Sequence, residues 1–468
     1  MNENKRLIKN AGIIAIGNIG TKLISFLLLP LYTTLLSTAE YGTFDYIISI
    51  ATFCVPFVSV LMDESIFRFL IDCKSNDSKK KVISTSMLIV FLGMISFAII
   101  GFPIMQILKY KYTYYVIFYI LLNVMSGMIS ALLRGIGRTD QYALFNFLLG
   151  TIQILLNVIF IAGFRMGLIG MISASILAQF IISVFFISWM RLWKYMSFRM
   201  FDSKLAKEMI IYSFPLIPNK ISWTIINLSD RIVLMNTLGS DSAGLYAISY
   251  KFPNLMDTIY GFFYQSWKES SARIIGSGED SRDKFYNSVY YYLKNFMYAI
   301  VLVMMAFMPL AFRLLINSNY YEALFYVPIL LIGTYFSNVS GFYGGIFTAY
   351  KDTKIMGTTT LVAAVINLAV NLTLISFIGI YAAAISTLIA NFVIYIYRKS
   401  KVKKYIVLWE TPKKSVLAIL ITVIILILFY SENIFCTIIA CILALIYAWT
   451  TNQKIISSII LHLKNKGA

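Results

Sequence analysis

Histidine is almost missing from this chain: His462 is the only one, and the four cysteines (Cys54, Cys73, Cys436, Cys441) have neither paired nor metal-ligand spacing. That leaves no zinc or haem site and no Ser/His/Asp set, and no Gly-Lys-Ser/Thr phosphate loop is present either. The reading is accordingly of a protein that is not an enzyme, with no catalytic residues, no metal and no cofactor. Charge is scarce as well. Only 13% of residues are Asp, Glu, Lys or Arg, against 59% hydrophobic, and mean hydropathy is +0.78. A soluble core cannot hide that much apolar surface, so lipid must solvate most of it. Acids are the scarcer sign, 21 against 40 bases.

What is present is a series of long apolar runs, near 10–36, 43–70, 82–107, 112–133, 141–163, 166–190, 210–236, 243–267, 286–312, 323–350, 355–377, 379–397, 415–430 and 433–450. A run of about 20 residues crosses the hydrocarbon layer as a helix, and these runs are continuous rather than alternating, which excludes a β-barrel. The expectation is an all-α membrane protein of about 14 helices. The first run follows Lys5, Arg6 and Lys9, is too long for a signal-peptide core and lacks a small-x-small cleavage site, so it reads as the first span.

The net charge of +19 is an orientation signal and not a nucleic-acid footprint. With the N-terminus inside, inner loops carry roughly 30 cations, including Lys79–Lys81, Arg191–Lys207, a run from Arg398 to Lys414 and the tail. Outer loops hold only Lys109, Lys111, Arg165 and Arg313. The positive-inside rule therefore places both termini in the cytoplasm.

The chain also repeats itself. GLIGMISASILAQF from Gly167 matches GIYAAAISTLIANF from Gly379, and the sequence upstream, from Ser126 and from Ser340, aligns without a gap. Gln153 and Asn157 then fall on Asn367 and Asn371, and LLSTAEYGTFDYI near Leu35 resembles TLGSDSAGLYAIS near Thr237. Three matches in one order predict two parallel six-helix repeats, lobes around a central cavity as alternating access requires, plus two extra C-terminal helices. The expected division is an N-lobe over 1–192, a basic cytoplasmic linker over 193–209, a C-lobe over 210–400, and helices 13 and 14 with the tail over 401–468.

Ionisable residues within spans are expensive and point to a watery cavity or a partner. Cations at Lys22, Arg68, Lys220, Arg231 and Lys251 are read as cavity-lining substrate contacts, with Lys294 as a further intramembrane base. Arg68 and Lys294 lie near helix ends, where snorkelling to lipid headgroups is the alternative, and for Asp230 and Arg231, near the outer end of helix 7, the alternative is a structural ion pair or interface anchors. Asp63, Glu64, Asp230 and Asp257 are read as ion-coupling groups or ion-pair partners. Pro30, Pro56, Pro215 and Pro218 remove backbone donors and should bend or break helices 1, 2 and 7 beside these charges, as a gate needs. A cationic lumen suits phosphate or pyrophosphate, and transport must then draw on the membrane potential or a proton or sodium gradient.

The stretch from Ser213 to Glu269, with its FPLIP opening, Ser229-Asp230-Arg231, the LG…AGLYAISYK block ending at Lys251 and Trp267, resembles the helix 7–8 signature of bacterial polysaccharide flippases. These are the Wzx-type members of the multidrug/oligosaccharidyl-lipid/polysaccharide exporter superfamily. The opening NAGIIAIGNIGTKLISFLLLPLYTTLLSTAEYGTFDY and DESIFRF around Arg68 are similar to the same family. The resemblance implies flipping of undecaprenyl-pyrophosphate-linked oligosaccharides across the bacterial cytoplasmic membrane for capsule, exopolysaccharide, O-antigen or teichoic-type polymers. Membrane lipids, a polysaccharide polymerase and glycosyltransferases are the partners it implies, and nucleic acid is not among them. A lipid II flippase and a cation-coupled multidrug exporter are the alternatives in the same superfamily; the basic balance of buried charge counts against the exporter. A membrane glycosyltransferase would need a large catalytic outer loop, and all outer loops are short.

Overall fold

The computed structural model describes residues 26, 28–276, 278–350, 352 and 354–466. Among them are sixteen α-helices and no strand: α1 (Leu29–Leu35), α2 (Thr38–Ser59), α3 (Met62–Asp72), α4 (Asn76–Ile107), α5 (Thr113–Gly135), α6 (Thr139–Asn157), α7 (Gly167–Trp189), α8 (Ser203–Ser213), α9 (Leu216–Thr237), α10 (Gly239–Arg273), α11 (Glu279–Leu315), α12 (Val327–Ala349), α13 (Lys354–Ile378), α14 (Ile380–Val402), α15 (Pro412–Tyr430) and α16 (Ile434–Lys466). Each of the thirteen expected runs after the first falls on one helix or on a broken pair. Eleven of the described helical segments are long and apolar enough to cross a membrane. The runs outside that set are the first, most of which lies outside the described residues, and helices 7 and 8 (α9 and α10), where the intramembrane charges are concentrated.

Local chemistry sets the helix ends. Ser37 caps α2 through a capping box with Glu40, Ser75 caps α4 with Ser78, and the Asp202 carboxylate accepts from Lys204 and Leu205 at the start of α8. Helix 2 is broken: Val60 and Leu61 take φ of 51° and 48°, the left-handed region, just after the Pro56 turn. Helix 7 is broken too, α8 ending at Ser213 and α9 starting at Leu216, with Pro215 in the gap and Pro218 in the new first turn. Pro30 lies in the first turn of α1, where a missing donor is cheap.

The chain forms two compact units, Met1–Ile232 and Val233–Ala468, so the division falls within α9. The basic stretch expected as a linker is docked on the first unit: Ser197 N donates to Ser84 Oγ at 2.9 Å, and Asp202 N to Thr85 Oγ1 at 3.2 Å. In the first unit α3 packs on α5, α5 on α7 and α6 on α7; in the second α10 packs on α12, α12 on α14 and α13 on α14. These are helices 2–4–6–5 and 8–10–12–11, the same neighbours in each repeat. The repeat extends to single bonds. Gln153 Nε2 donates to Ser175 Oγ at 2.9 Å, and its counterpart Asn367 donates to Ser386 Oγ and Thr387 Oγ1, each at 3.3 Å.

The repeated stretches open alike, on glycines with positive φ, 55° at Gly167 and 57° at Gly379. A side chain at Gly167 would also put its Cβ 2.1 Å from Glu40 Oε1, the atom that accepts from Leu168 N and so caps α7. The cores are apolar and aromatic, around Ile47, Ile66, Leu133 and Phe186 in one unit and Tyr246, Phe312, Phe342 and Tyr343 in the other. The exposed faces of α4 and α15 are apolar as well (Phe91, Ile99, Ile107; Val416, Leu420, Ile427), the arrangement that lipid solvates.

Candidate functional site

Charges in the first unit gather where its helices are broken. The αL pair at Val60–Leu61 starts α3 with Asp63 and Glu64 in its first turn, where a helix N-terminus favours acids. Glu64 is exposed, while Asp63 is half-buried and its Oδ1 has no hydrogen-bond partner among the described residues. Lys220 lies on α9, one turn beyond the proline break, exposed, and close enough to Asp63 for the two charges to interact. Arg68 is exposed and pairs with Asp72 one turn on, Nη1 to Oδ2 at 2.6 Å.

Arg231 has a different setting. Its Nε donates to Asp45 Oδ2 at 2.5 Å, with side chains only 10% and 18% exposed. Asp230 beside it is 1% exposed. The Arg231 charge is thus answered inside the first unit by an acid from α2, which ties α9 to α2. Asp45 was not among the expected site residues. The signal for it was available, as it is the lone acid in an otherwise uncharged run from Tyr41 to Met62. Lys251 and Asp257, on α10, are half-buried. Lys22 lies outside the described residues.

In the second unit the run from Arg398 to Lys414, expected as an inner loop, needs correction at its start. α14 continues to Val402, and Arg398 is fully buried. Its guanidinium donates to Thr359 Oγ1 at 3.1 Å, Thr360 Oγ1 at 3.2 Å, and the carbonyls of Ser340 and Met356 at 3.4 Å. Arg398 therefore joins α12, α13 and α14 and is not a solvated loop cation. Sequence reading missed it because it opens a run of surface lysines. Lys294 and Lys399 converge on one carboxylate, Glu410, at 2.8 and 2.7 Å. Burial works to raise the Glu410 carboxyl, but hydrogen bonds from Lys294 and Lys399 outweigh it and hold it below the ordinary range. Trp267 is a packing residue: its Nε1 donates to Phe342 O at 2.9 Å and its ring stacks on Phe342 at 4.3 Å. Among the described residues no group of three or more His, Cys, Asp or Glu is placed to hold a metal.

A family model described as "Polysaccharide biosynthesis protein" matches residues 7–267. No curated protein matches the chain. Among solved structures, the chain is similar to the lipid II flippase MurJ in an inward closed conformation, with TM-score 0.73 and 15% identity, over 96% of this chain and 99% of that one. An inward-facing multidrug resistance MATE family transporter of the MOP superfamily aligns with TM-score 0.69 and 15% identity, over 83% of this chain and 98% of that one. A MOP superfamily transporter from Pyrococcus furiosus whose binding pocket has reverse polarity aligns at TM-score 0.57 and 15% identity, over 85% of this chain and 95% of that one. At such identities the likeness is one of fold: the two-lobed, multi-pass helical architecture of this superfamily.

Proposed function

The chain belongs to the polysaccharide biosynthesis protein family, and on that premise we propose that it flips undecaprenyl-pyrophosphate-linked oligosaccharides from the inner to the outer leaflet of a bacterial cytoplasmic membrane, with both termini cytoplasmic. The observation that carries the reading is the family match over residues 7–267, which spans the broken, charged helices α2–α3 and α8–α9. Discontinuous helices beside intramembrane charge are the usual build of a transporter's substrate and ion sites. Lys22, Arg68, Lys220 and Lys251 are the proposed contacts for the pyrophosphate and sugar, because ammonium and guanidinium groups answer phosphate. Arg231 serves by anchoring α9 through Asp45 as well as by its charge. Asp63 is the proposed seat of a coupling proton or sodium ion, supported by its unpartnered Oδ1. Pro56, Pro215 and Pro218 mark the points at which α2 and α9 would pivot during alternating access.

The test is complementation of a strain deleted for this gene, scored by surface polymer, with Lys22→Glu/Lys220→Glu beside the wild type. Loss of polymer in the double variant at normal protein level is expected; unchanged polymer would remove the cationic-cavity reading. A lipid II cargo is the second reading, favoured by an alignment with the lipid II flippase that covers 96% of the chain and so takes in helices 13 and 14. Rescue of a strain depleted of its lipid II flippase, without an effect on polymer in the deletion strain, would select it.

A further inference from the structure

One cavity is lined by none of the residues proposed above as cargo or coupling-ion contacts. In the second unit α11, α12, α14, α15 and α16 line a slot of about 400 Å³ with a charged mouth and an apolar interior. Lys294, Lys399 and Lys414 stand at the mouth with a single acid, Glu410. Lys294 and Lys399 share that carboxylate, and Lys414 Nζ donates to Tyr291 OH at 2.7 Å. Three cations against one acid leave a net charge of +2 around the opening. Beyond the charged residues, Val301, Ile332, Phe336, Ile419 and Val423 make apolar walls, the last two from the exposed side of α15. Two of the hydroxyls there, Tyr298 and Thr422, bond each other at 2.5 Å, and the aliphatic walls ask for hydrocarbon.

Between mouth and interior lies one unanswered donor. Asn295 lines the slot, is 8% exposed, and its Nδ2 has no hydrogen-bond partner among the described residues. A buried amide donor without an acceptor is costly and marks a place for a ligand oxygen. The order is therefore anion, then neutral acceptor, then hydrocarbon. That is the order of groups along a glycerophospholipid: phosphate, acyl-ester carbonyl, acyl chain. Basic pockets between membrane helices are a general way of holding acidic lipid headgroups.

We propose that this slot is a binding site for an anionic bilayer glycerophospholipid, its phosphate on Lys294, Lys399 and Lys414, an ester carbonyl accepting from Asn295, and one acyl chain between α11, α12 and α15. The lipid fastens the 403–411 segment and α15 to the rest of the second unit. The site is independent of the cargo reading and survives or fails without it.

The test is native mass spectrometry of the full-length, delipidated protein titrated with diester phosphatidylglycerol, with phosphatidylcholine, diether phosphatidylglycerol, a polyprenyl phosphate and inorganic phosphate as comparison probes. One saturable phosphatidylglycerol adduct is expected, preferred to phosphatidylcholine. Lys414→Gln should weaken it about five-fold, the effect of one surface lysine near an acidic lipid. Val423→Trp, at a lining position that is 48% exposed, should block the chain and abolish the adduct. Asn295→Leu should erase the advantage of diester over diether lipid. The proposal is overturned by equal binding of phosphatidylcholine, by adducts indifferent to both Lys414→Gln and Val423→Trp, by inorganic phosphate saturating the site alone, or by tighter binding of the polyprenyl phosphate, which has no ester to offer Asn295.

Discussion

Replacing Asp45 by alanine should loosen the first unit far more than loss of an ordinary ion pair would. The magnitude follows from burial. An exposed pair contributes about 0–1 kcal/mol, whereas removing one partner of a buried pair costs roughly 3–5 kcal/mol because the other charge remains in low dielectric. With side chains 10% and 18% exposed and a 2.5 Å contact, Arg231–Asp45 belongs to the second class. For a unit of 232 residues, each kcal/mol moves the melting temperature by roughly 2–4 °C. Asp45→Ala should therefore lower the melting temperature of the detergent-purified protein by roughly 6–20 °C. Arg231→Ala should cost less, since the charge it leaves behind, on Asp45, is the more exposed of the two at 18% against 10%. The double replacement should cost clearly less than the sum of the singles, giving a coupling of about 2 kcal/mol or more. Additive singles, or shifts of only 1–2 °C for both (about 0–1 kcal/mol), would refute the view that this pair fixes α9 to α2. Surface polymer measured on Arg231→Lys, which keeps the charge, separates the anchoring role from a cargo role.

Other outcomes can be checked on the same preparation. Gly379→Ala should cost about 1–3 kcal/mol, because alanine resists a φ of 57° with ψ of −134°; Gly167→Ala should cost more, as its Cβ also collides with Glu40 Oε1. Gln153→Leu and Asn367→Leu should destabilise by similar amounts, about 1 kcal/mol each, if the two repeats use the same bond; a cost in only one would break the equivalence. Glu410 has a depressed folded value, so its contribution to stability is full above the ordinary 4.5 and is lost as pH falls through that depressed value. Melting temperature should accordingly drop more steeply below pH 4.5 in the wild type than in Glu410→Gln, and parallel curves would rule out the clamp. Asp63→Asn should spare the fold and stop gradient-driven flipping in proteoliposomes; persistence of ion-coupled transport would remove Asp63 as the coupling group.

Much of the architecture was legible in the amino-acid order because lipid imposes a single requirement on every span. Runs such as 82–107 and 415–430 have to be apolar along a helix, and they became α4 and α15 with apolar faces exposed. The repeat was legible for a similar reason: close helix contacts need small residues, and a buried amide needs a hydroxyl, so Gly167 and Gly379, Gln153 and Asn367 recur in register. Prolines gave the break before α9 directly, since a missing donor and a steric clash are local effects. The break at Val60–Leu61 follows Pro56 but takes the left-handed backbone at two branched residues, which their types do not foretell.

Charge partners were not legible, because a partner is a matter of distance in space. Arg231 and Asp45 are 186 positions apart, Lys294 and Glu410 are 116 apart, and no period links them. Arg398 looked like the first of a run of solvated bases, and only the packing of α12, α13 and α14 put it in the interior. By itself the sequence determined which stretches are apolar enough to lie in a membrane, which stretches repeat and where prolines break a helix, since hydropathy, small-residue spacing and proline chemistry act over a few residues. The tertiary structure alone decided which charges are answered and which are left to meet a ligand, since electrostatic energy depends on separation and burial, and both are set only when distant helices come together.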